Sequence, residues 1–175
     1  MWKPQRRVRN LPIRLVSDSS VLLAFERAQL LDILKPLAGE IVMPKAVQAE
    51  VRGIKLSESI TVIQLTGRSI KKSRSIEHAL CIGRGEAECC ALALKLKTGF
   101  ILCDDRKFVR QKFFSADRSV KAINVFGFSL FLHVLCKRKQ IENVWPYFEK
   151  IINSNNWQRS EVLSVNHAFL KEKGY

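Results

Sequence analysis

The sequence has no apolar run near the roughly 18 residues that a membrane-spanning helix needs, and its basic start, MWKPQRRVRNLPIR, lacks the apolar segment of a secretory signal. Both absences point to a soluble, cytoplasmic protein. Five cysteines (Cys81, Cys89, Cys90, Cys103, Cys136) form no C-x-x-C pair, and no histidine stands at the spacing of a structural zinc site. An odd number of cysteines inside apolar runs reads as small core residues in a reducing compartment. The three histidines, His78, His133 and His167, are isolated from one another, so no Ser-His or Cys-His catalytic arrangement is evident. Gly83-Arg84-Gly85-Glu86 lacks the Lys-Ser/Thr of a phosphate-binding P-loop and reads as a flexible lead into a helix. Repeats and low-complexity segments are absent as well. Acids are scarce, with 16 Asp and Glu against 30 Lys and Arg, for a formal net charge of +14.

That balance gives the surface a positive potential, whose usual partners are nucleic acid, an anionic membrane or an acidic protein. With 175 residues, 47% of them hydrophobic, the chain can build one well-packed core. After a basic arm, Ile13 to Val16 is a strand candidate ending at Ser17-Asp18-Ser19-Ser20, where the apolar period becomes helical through Leu22, Leu23, Phe25, Leu30 and Leu31. Glu40 to Met43 is a second strand, followed by a helix from Pro44 to about Arg52 with Gly53 as its stop. Thr61 to Leu65 is a third. The basic segment GRSIKKSRSIEHALCIGRG reads as a surface loop with one helical turn, and Glu86 to Lys97 as a helix stopped by Gly99. Phe100 to Cys103 and Lys121 to Val125 are strands, while Arg106 to Phe114 and Ser129 to about Lys139 are helices. Two further helical stretches follow Ile141, and the apolar set Trp145, Tyr147, Phe148, Ile151 and Ile152 is spaced for packing. Short strands alternating with helices argue for an α/β fold with a parallel sheet covered on both faces.

In such sheets the ligand site lies beyond the carboxyl ends of the strands. Asp18 and the adjacent Asp104-Asp105 both follow strand candidates directly. On a wheel of about 100° per residue, Glu86 falls among Ala87, Cys89, Cys90, Ala93 and Leu94, and Glu88 falls opposite with Lys95. Glu86 is therefore expected to point inward and Glu88 into solvent, and Glu50 lies between Ala46 and Val47 in the same inward way. Each acid also has an ordinary structural reading. Asp18 can be a helix N-cap, Glu86 a first-turn residue, Glu50 a surface ion-pair partner and Asp104-Asp105 a turn and cap. Together, acids meeting at one sheet edge would repel one another, a conflict that Mg²⁺ or Mn²⁺ removes. An acidic metal site inside a basic protein suits a nuclease, in which lysines and arginines hold the phosphate backbone while the metal polarises the phosphodiester.

The order of Asp18 with Ser19, Glu50 in PKAVQAEV, Glu86 in GRGEAECCALA and Asp105 in LCDDRKF resembles the PIN-domain ribonucleases. The nearest likeness is to the prokaryotic subfamily related to VapC-type toxins of toxin–antitoxin modules. It runs from about Leu15 to Lys139 and includes VFGFSLFLHVL, similar to the strand-glycine-helix element near the end of that domain. The resemblance implies a three-layer α/β/α sandwich around a mostly parallel sheet over residues 13–139, preceded by a basic arm (1–12) and followed by a helical extension (140–175). It also implies metal-dependent endonucleolytic cleavage of RNA, with Asp18, Glu50, Glu86 and Asp105 as catalytic metal-binding acids. Asp104 would share a metal or orient its neighbour, and Ser19 would support the first aspartate. Cys103 stands where relatives often carry Thr or Ser, and Glu86 where many carry Asp. A cognate antitoxin and a homodimer are the partners implied besides RNA.

Four basic clusters are candidate RNA contacts: Arg6-Arg7-Arg9, Lys71-Lys72-Arg74, Arg106-Lys107-Arg110-Lys112 and Lys137-Arg138-Lys139. The cluster beginning at Arg106 is favoured because it adjoins the acids. Three readings follow: a ribonuclease, plausible as the toxin of a toxin–antitoxin pair; a catalytically silent module of the same fold that binds RNA or protein; and a metal-dependent nuclease acting on DNA or structured ends.

Overall fold

Residue spacing alone sets up a chain of short parallel strands joined by helices, and the computed structural model, which describes residues 14–37, 40–52 and 60–175, contains that alternation. The basic arm with its Arg6-Arg7-Arg9 cluster and the stop at Gly53 lie outside the described residues. Strand β1 (Leu15–Val16) leads into α1 (Ser19–Arg27) and a 3-10 helix (Leu31–Leu37). Next come β2 (Ile41–Pro44), α2 (Lys45–Glu50), β3 (Ile60–Ile63), α3 (Gly67–Leu80) and α4 (Arg84–Leu96). The chain continues through β4 (Phe100–Leu102), α5 (Arg106–Phe113), α6 (Arg118–Lys121), β5 (Asn124–Phe126), α7 (Ser129–Lys137), α8 (Trp145–Ser154) and α9 (Glu161–Glu172).

β2 pairs in parallel with β1 on one side and β3 on the other, and β4 pairs in parallel with β5. A single parallel bridge from Ser17 to Leu102 joins the two sheets, tied by the Asp18 N–H donating to the Leu102 carbonyl at 3.0 Å. The resulting order is β3-β2-β1-β4-β5. From β1 the chain runs outward through β2 and β3, then returns to place β4 on the other side of β1. The crevice beyond β1 and β4 is thus the topological switch point, where open parallel sheets bind their ligands.

Every residue of β2 is buried, so helices must cover both sheet faces. α4 packs on β1, β2 and β4 with α3 against its outer side. α1 packs with α8, and α7 with α8 and α9; Phe25 and Phe131 meet edge to face at 5.6 Å. Phe148, Ile151 and Ile152 are buried, in keeping with the packing role read from their spacing. Among the described residues no helix is long and apolar enough to cross a membrane.

Three expectations need correction. The segment from Gly67 to Leu80 is a helix rather than a loop, because Ser73, Ile76 and Leu80 are buried along one stripe beside half-buried Ile70, and that stripe lies on α4. The strand expected at Lys121–Val125 is displaced: Asp117 caps a short helix that consumes Lys121, and pairing starts at Asn124. Glu88 points inward. α4 is sheathed by α2, α3 and three strands, so its polar side faces α2 instead of solvent. There the Glu88 carboxylate accepts from Arg84 Nε at 2.8 Å and from the Ala46 N–H at 3.3 Å.

Candidate active site

Strand ends and helix starts deliver the acids to the switch-point crevice. Asp18 follows β1 and caps α1, its Oδ1 accepting from the Val21 N–H at 3.3 Å. The Ser20 hydroxyl donates to the same oxygen at 2.8 Å and accepts from the Asp104 N–H at 2.9 Å, linking the ends of β1 and β4. Ser20, not Ser19, is therefore the hydroxyl that supports Asp18. A helix turns about 100° per residue, and Ser19 points instead to α2, where it donates to Glu50. The Cys103 thiol beside Asp18 lowers that carboxyl's pKa, and its sulfur accepts from the Asp105 N–H at 3.3 Å.

Asp104 and Asp105 diverge. Asp104 is buried: its Oδ2 accepts from the Phe128 N–H at 3.0 Å and its Oδ1 from the Asn166 amide at 2.9 Å. Asn166 in turn accepts from the Ser129 N–H at 3.1 Å and hydroxyl at 2.7 Å, so one α9 side chain ties the loop after β4 to the start of α7. Gly127 makes this possible, because a Cβ there would overlap the Asp104 carboxylate and the Asn166 amide. Asp105 is half-buried, caps α5 through the Phe108 N–H at 2.9 Å, and lines a small cleft with Glu86 and Lys107. Glu50 is exposed, contrary to the inward position expected from its wheel, since α2 has one turn and a half and only Val47 is buried. Its carboxylate still leans over Gly85, where any Cβ would collide with it, and so sits beside the first turn of α4 and Glu86.

Burial raises the Asp18 pKa to about 7, with the nearby Asp104 charge adding to it and the Cys103, Ser20 and Val21 donors opposing. Burial likewise raises Asp104 to about 6 against the Asn166 and Phe128 donors. Glu86 is raised first by desolvation and further by Glu50 and Asp105, with Lys107 opposing. None of Asp18, Glu50, Glu86, Asp104 and Asp105 forms an ion pair among the described residues. Oxygen donors without a cationic partner suit a hard divalent cation. Their placement is open, however: among the described residues no three His, Cys, Asp or Glu side chains are grouped to hold a metal ion. The donors fit Mg²⁺ or Mn²⁺ in charge and type, and Asp18, Asp105, Glu86 and Glu50 are the residues that would hold it. Asp104 has both oxygens engaged inside the protein.

The basic residues near the acids are not equally available. Arg110 pairs with Glu161 at 2.7 Å, and Arg106 Nε lies 3.8 Å from the same carboxylate. Lys112, expected to contact nucleic acid, is turned inward: it is 8% exposed and its ammonium donates to the Lys121 carbonyl at 2.9 Å. Lys107 is exposed at the cleft. Farther off, Lys72 pairs with Asp117, and Arg138 holds Glu40 through two bonds of 2.7 and 2.9 Å. Asn166 and the supporting role of Ser20 escaped the sequence reading, which sends Glu88 to solvent. Ser20 alone carried a usable signal, its place two residues after a capping aspartate.

Comparison with protein families finds a match to the model of a family described as a PIN domain, over residues 14–172. Neither the curated proteins nor the solved structures give a match.

Proposed function

The chain belongs to the PIN-domain family, a nuclease-type fold that is generally dependent on divalent metal, and we propose that it is an endoribonuclease using Mg²⁺ or Mn²⁺ to hydrolyse RNA phosphodiester bonds. The observation that carries this reading is the set of unpaired acids at the switch point of a chain whose net charge is +14. Bound there, the cation would polarise the phosphodiester and lower the pKa of water toward neutrality. The protein's own residues do the rest. Asp18, fixed by Ser20 and the α1 cap, and Asp105, fixed by the α5 cap, present oxygens from beyond the ends of β1 and β4. Glu86, whose pKa desolvation raises above its ordinary value, lines the same cleft as Asp105 and adds a further carboxylate for the cation. Lys107 offers a phosphate contact at the cleft.

The test is cleavage of a mixed RNA pool by wild type and Asp105→Asn, with Mn²⁺ or Mg²⁺ and with EDTA, after both proteins are shown to melt cooperatively. Cutting that requires metal and Asp105 supports the reading; cutting that persists in Asp18→Asn and Asp105→Asn sinks it. The proposal extends to a toxin, assembled as a homodimer and restrained by a cognate antitoxin. A small neighbouring reading frame whose product suppresses the cutting would support that extension. The alternative, a silent RNA- or protein-binding module, draws on the open placement of the acids and the internal engagement of Asp104. It requires that Mg²⁺ and Mn²⁺ leave the melting temperature unchanged. Matched RNA and DNA substrates separate the ribonuclease from a nuclease acting on DNA.

A further inference from the structure

Helix α5 joins the acidic crevice, at its N-terminus, to a pair of bare phenyl rings at its C-terminus. Phe113 is 65% exposed and Phe114 80%, more than any other large apolar side chain among the described residues. The two rings meet edge to face with centroids 5.5 Å apart. With Ile123 and Val125 they line an open cavity of about 570 Å³ beside the edge strand β5. No acid lines it; of its cations Arg110 is paired with Glu161 and the Lys112 ammonium with the Lys121 carbonyl, which leaves the Lys121 ammonium facing the rings. The Lys121 ammonium stands 5.3 Å from the Phe113 ring centroid, a cation–π distance.

Exposed rings beside the Lys121 ammonium match what single strands bring, a flat base and a phosphate. A second copy of this chain fits poorly, because with a net charge of +14 it would bring positive potential to a positive wall. The separation also suits a strand. Along the helix, Phe113 lies about 12 Å from Asp105 at 1.5 Å per residue, the length of a few stacked nucleotides at roughly 3.4 Å each.

We propose that Phe113 and Phe114 form a stacking subsite for an unpaired base of single-stranded RNA, a few nucleotides from the bond presented to the acids. The choice of RNA rests on the ribonuclease reading, so the test uses binding without cleavage. A short fluorescein-labelled oligouridylate is titrated in EDTA with wild type, Phe113→Ser/Phe114→Ser and Phe113→Trp/Phe114→Trp, and inorganic polyphosphate serves as a competitor without bases. Both positions are exposed, so the variants should melt like wild type. The serine pair should weaken oligouridylate binding roughly five- to a hundredfold, the tryptophan pair should retain it, and polyphosphate should compete equally well in all three. Oligouridylate affinity within twofold of wild type in the serine pair overturns the proposal. So does an equal loss of polyphosphate binding, or a wild-type dimer that the serine pair turns into a monomer with its RNA affinity intact. Base-dependent binding by a protein that never cuts RNA in Mn²⁺ would sink the ribonuclease reading and leave the subsite standing. Normal cutting with binding indifferent to the phenylalanines would do the reverse.

Discussion

Asp18→Asn should stabilise the metal-free protein at pH 8 while abolishing cleavage. Asp18 is 4% exposed, and its pKa is about 7 in the folded chain against an ordinary 3.8. Between those values the folded state keeps a proton that the unfolded state releases. Fewer protons are bound on unfolding, so stability falls as pH rises from about 4 to 7. At 1.36 kcal/mol per unit, the gap of about 3 units costs the folded state about 4 kcal/mol by pH 8. Asp104, raised to about 6, adds about 3 kcal/mol between pH 4 and 6 by the same arithmetic, not additive with the first because the two carboxylates interact.

Asparagine cannot ionise, yet its oxygen can still accept from the Val21 N–H and the Ser20 hydroxyl, and it is as good an N-cap as aspartate. Allowing for relaxation, the variant should gain about 2–4 kcal/mol at pH 8, roughly 5–15 °C in Tm for a chain of this size. At pH 4 to 5 it should match wild type. Circular-dichroism melts of both proteins in EDTA from pH 5 to 8 provide the check. Added Mn²⁺ at pH 8 should raise the wild-type Tm and raise the variant's less. If Asp18→Asn melts below wild type at pH 8 in EDTA, or the two pH slopes run parallel, burial of an unpaired carboxylate is not what governs this site.

Gly127→Ala puts a methyl group onto the Asp104 carboxylate and Asn166 amide, so it should cost about 1–3 kcal/mol by overpacking and slow cleavage, read by melts and by kcat. Asn166→Ala removes a donor to Asp104 and the acceptor of Ser129. Two buried groups left at about 1–3 kcal/mol each predict a loss of about 2–6 kcal/mol in urea unfolding. Lys112→Met should leave RNA affinity unchanged, because that ammonium is spent inside the fold. Lys107→Ala, at the cleft, should weaken RNA binding and lower the salt slope of log Kd by about one contact.

The alternation of strands and helices was legible because each strand is a short apolar run closed by a polar turn, and the two aspartate positions followed from where the first and fourth strands stop. The two misread glutamates share a physical cause: a wheel drawn for one helix takes no account of how much of that helix its neighbours cover. α4 is enclosed on nearly all sides, so Glu88 is buried by α2 despite lying opposite the apolar stripe. α2 is so short that Glu50 escapes to the surface. α3 was hidden by its serines, glycine and basic residues, although Ile70, Ser73, Ile76 and Leu80 already carried the helical period. Asn166 lies 62 residues from its partner Asp104, and no local pattern could have joined them.

The adjacent aspartates after β4 are the point at which fold and site divide the work. Successive residues leaving a strand point to opposite sides, so one carboxylate turns into the protein and the other toward the cleft. Asp104 is held by a main-chain N–H on the β5–α7 connection and a side chain on α9, which fixes the loop that carries its neighbour. Asp105, capping α5, takes its direction from that loop and faces Glu86 and Lys107. α9 also reaches the basic side of α5 through Glu161, which engages Arg106 and Arg110. A helix with no acid in the crevice thereby sets the aim of the acid and the availability of the cations around it. The last stretch of the chain belongs to the physics of the site as fully as the strand that ends in Asp18.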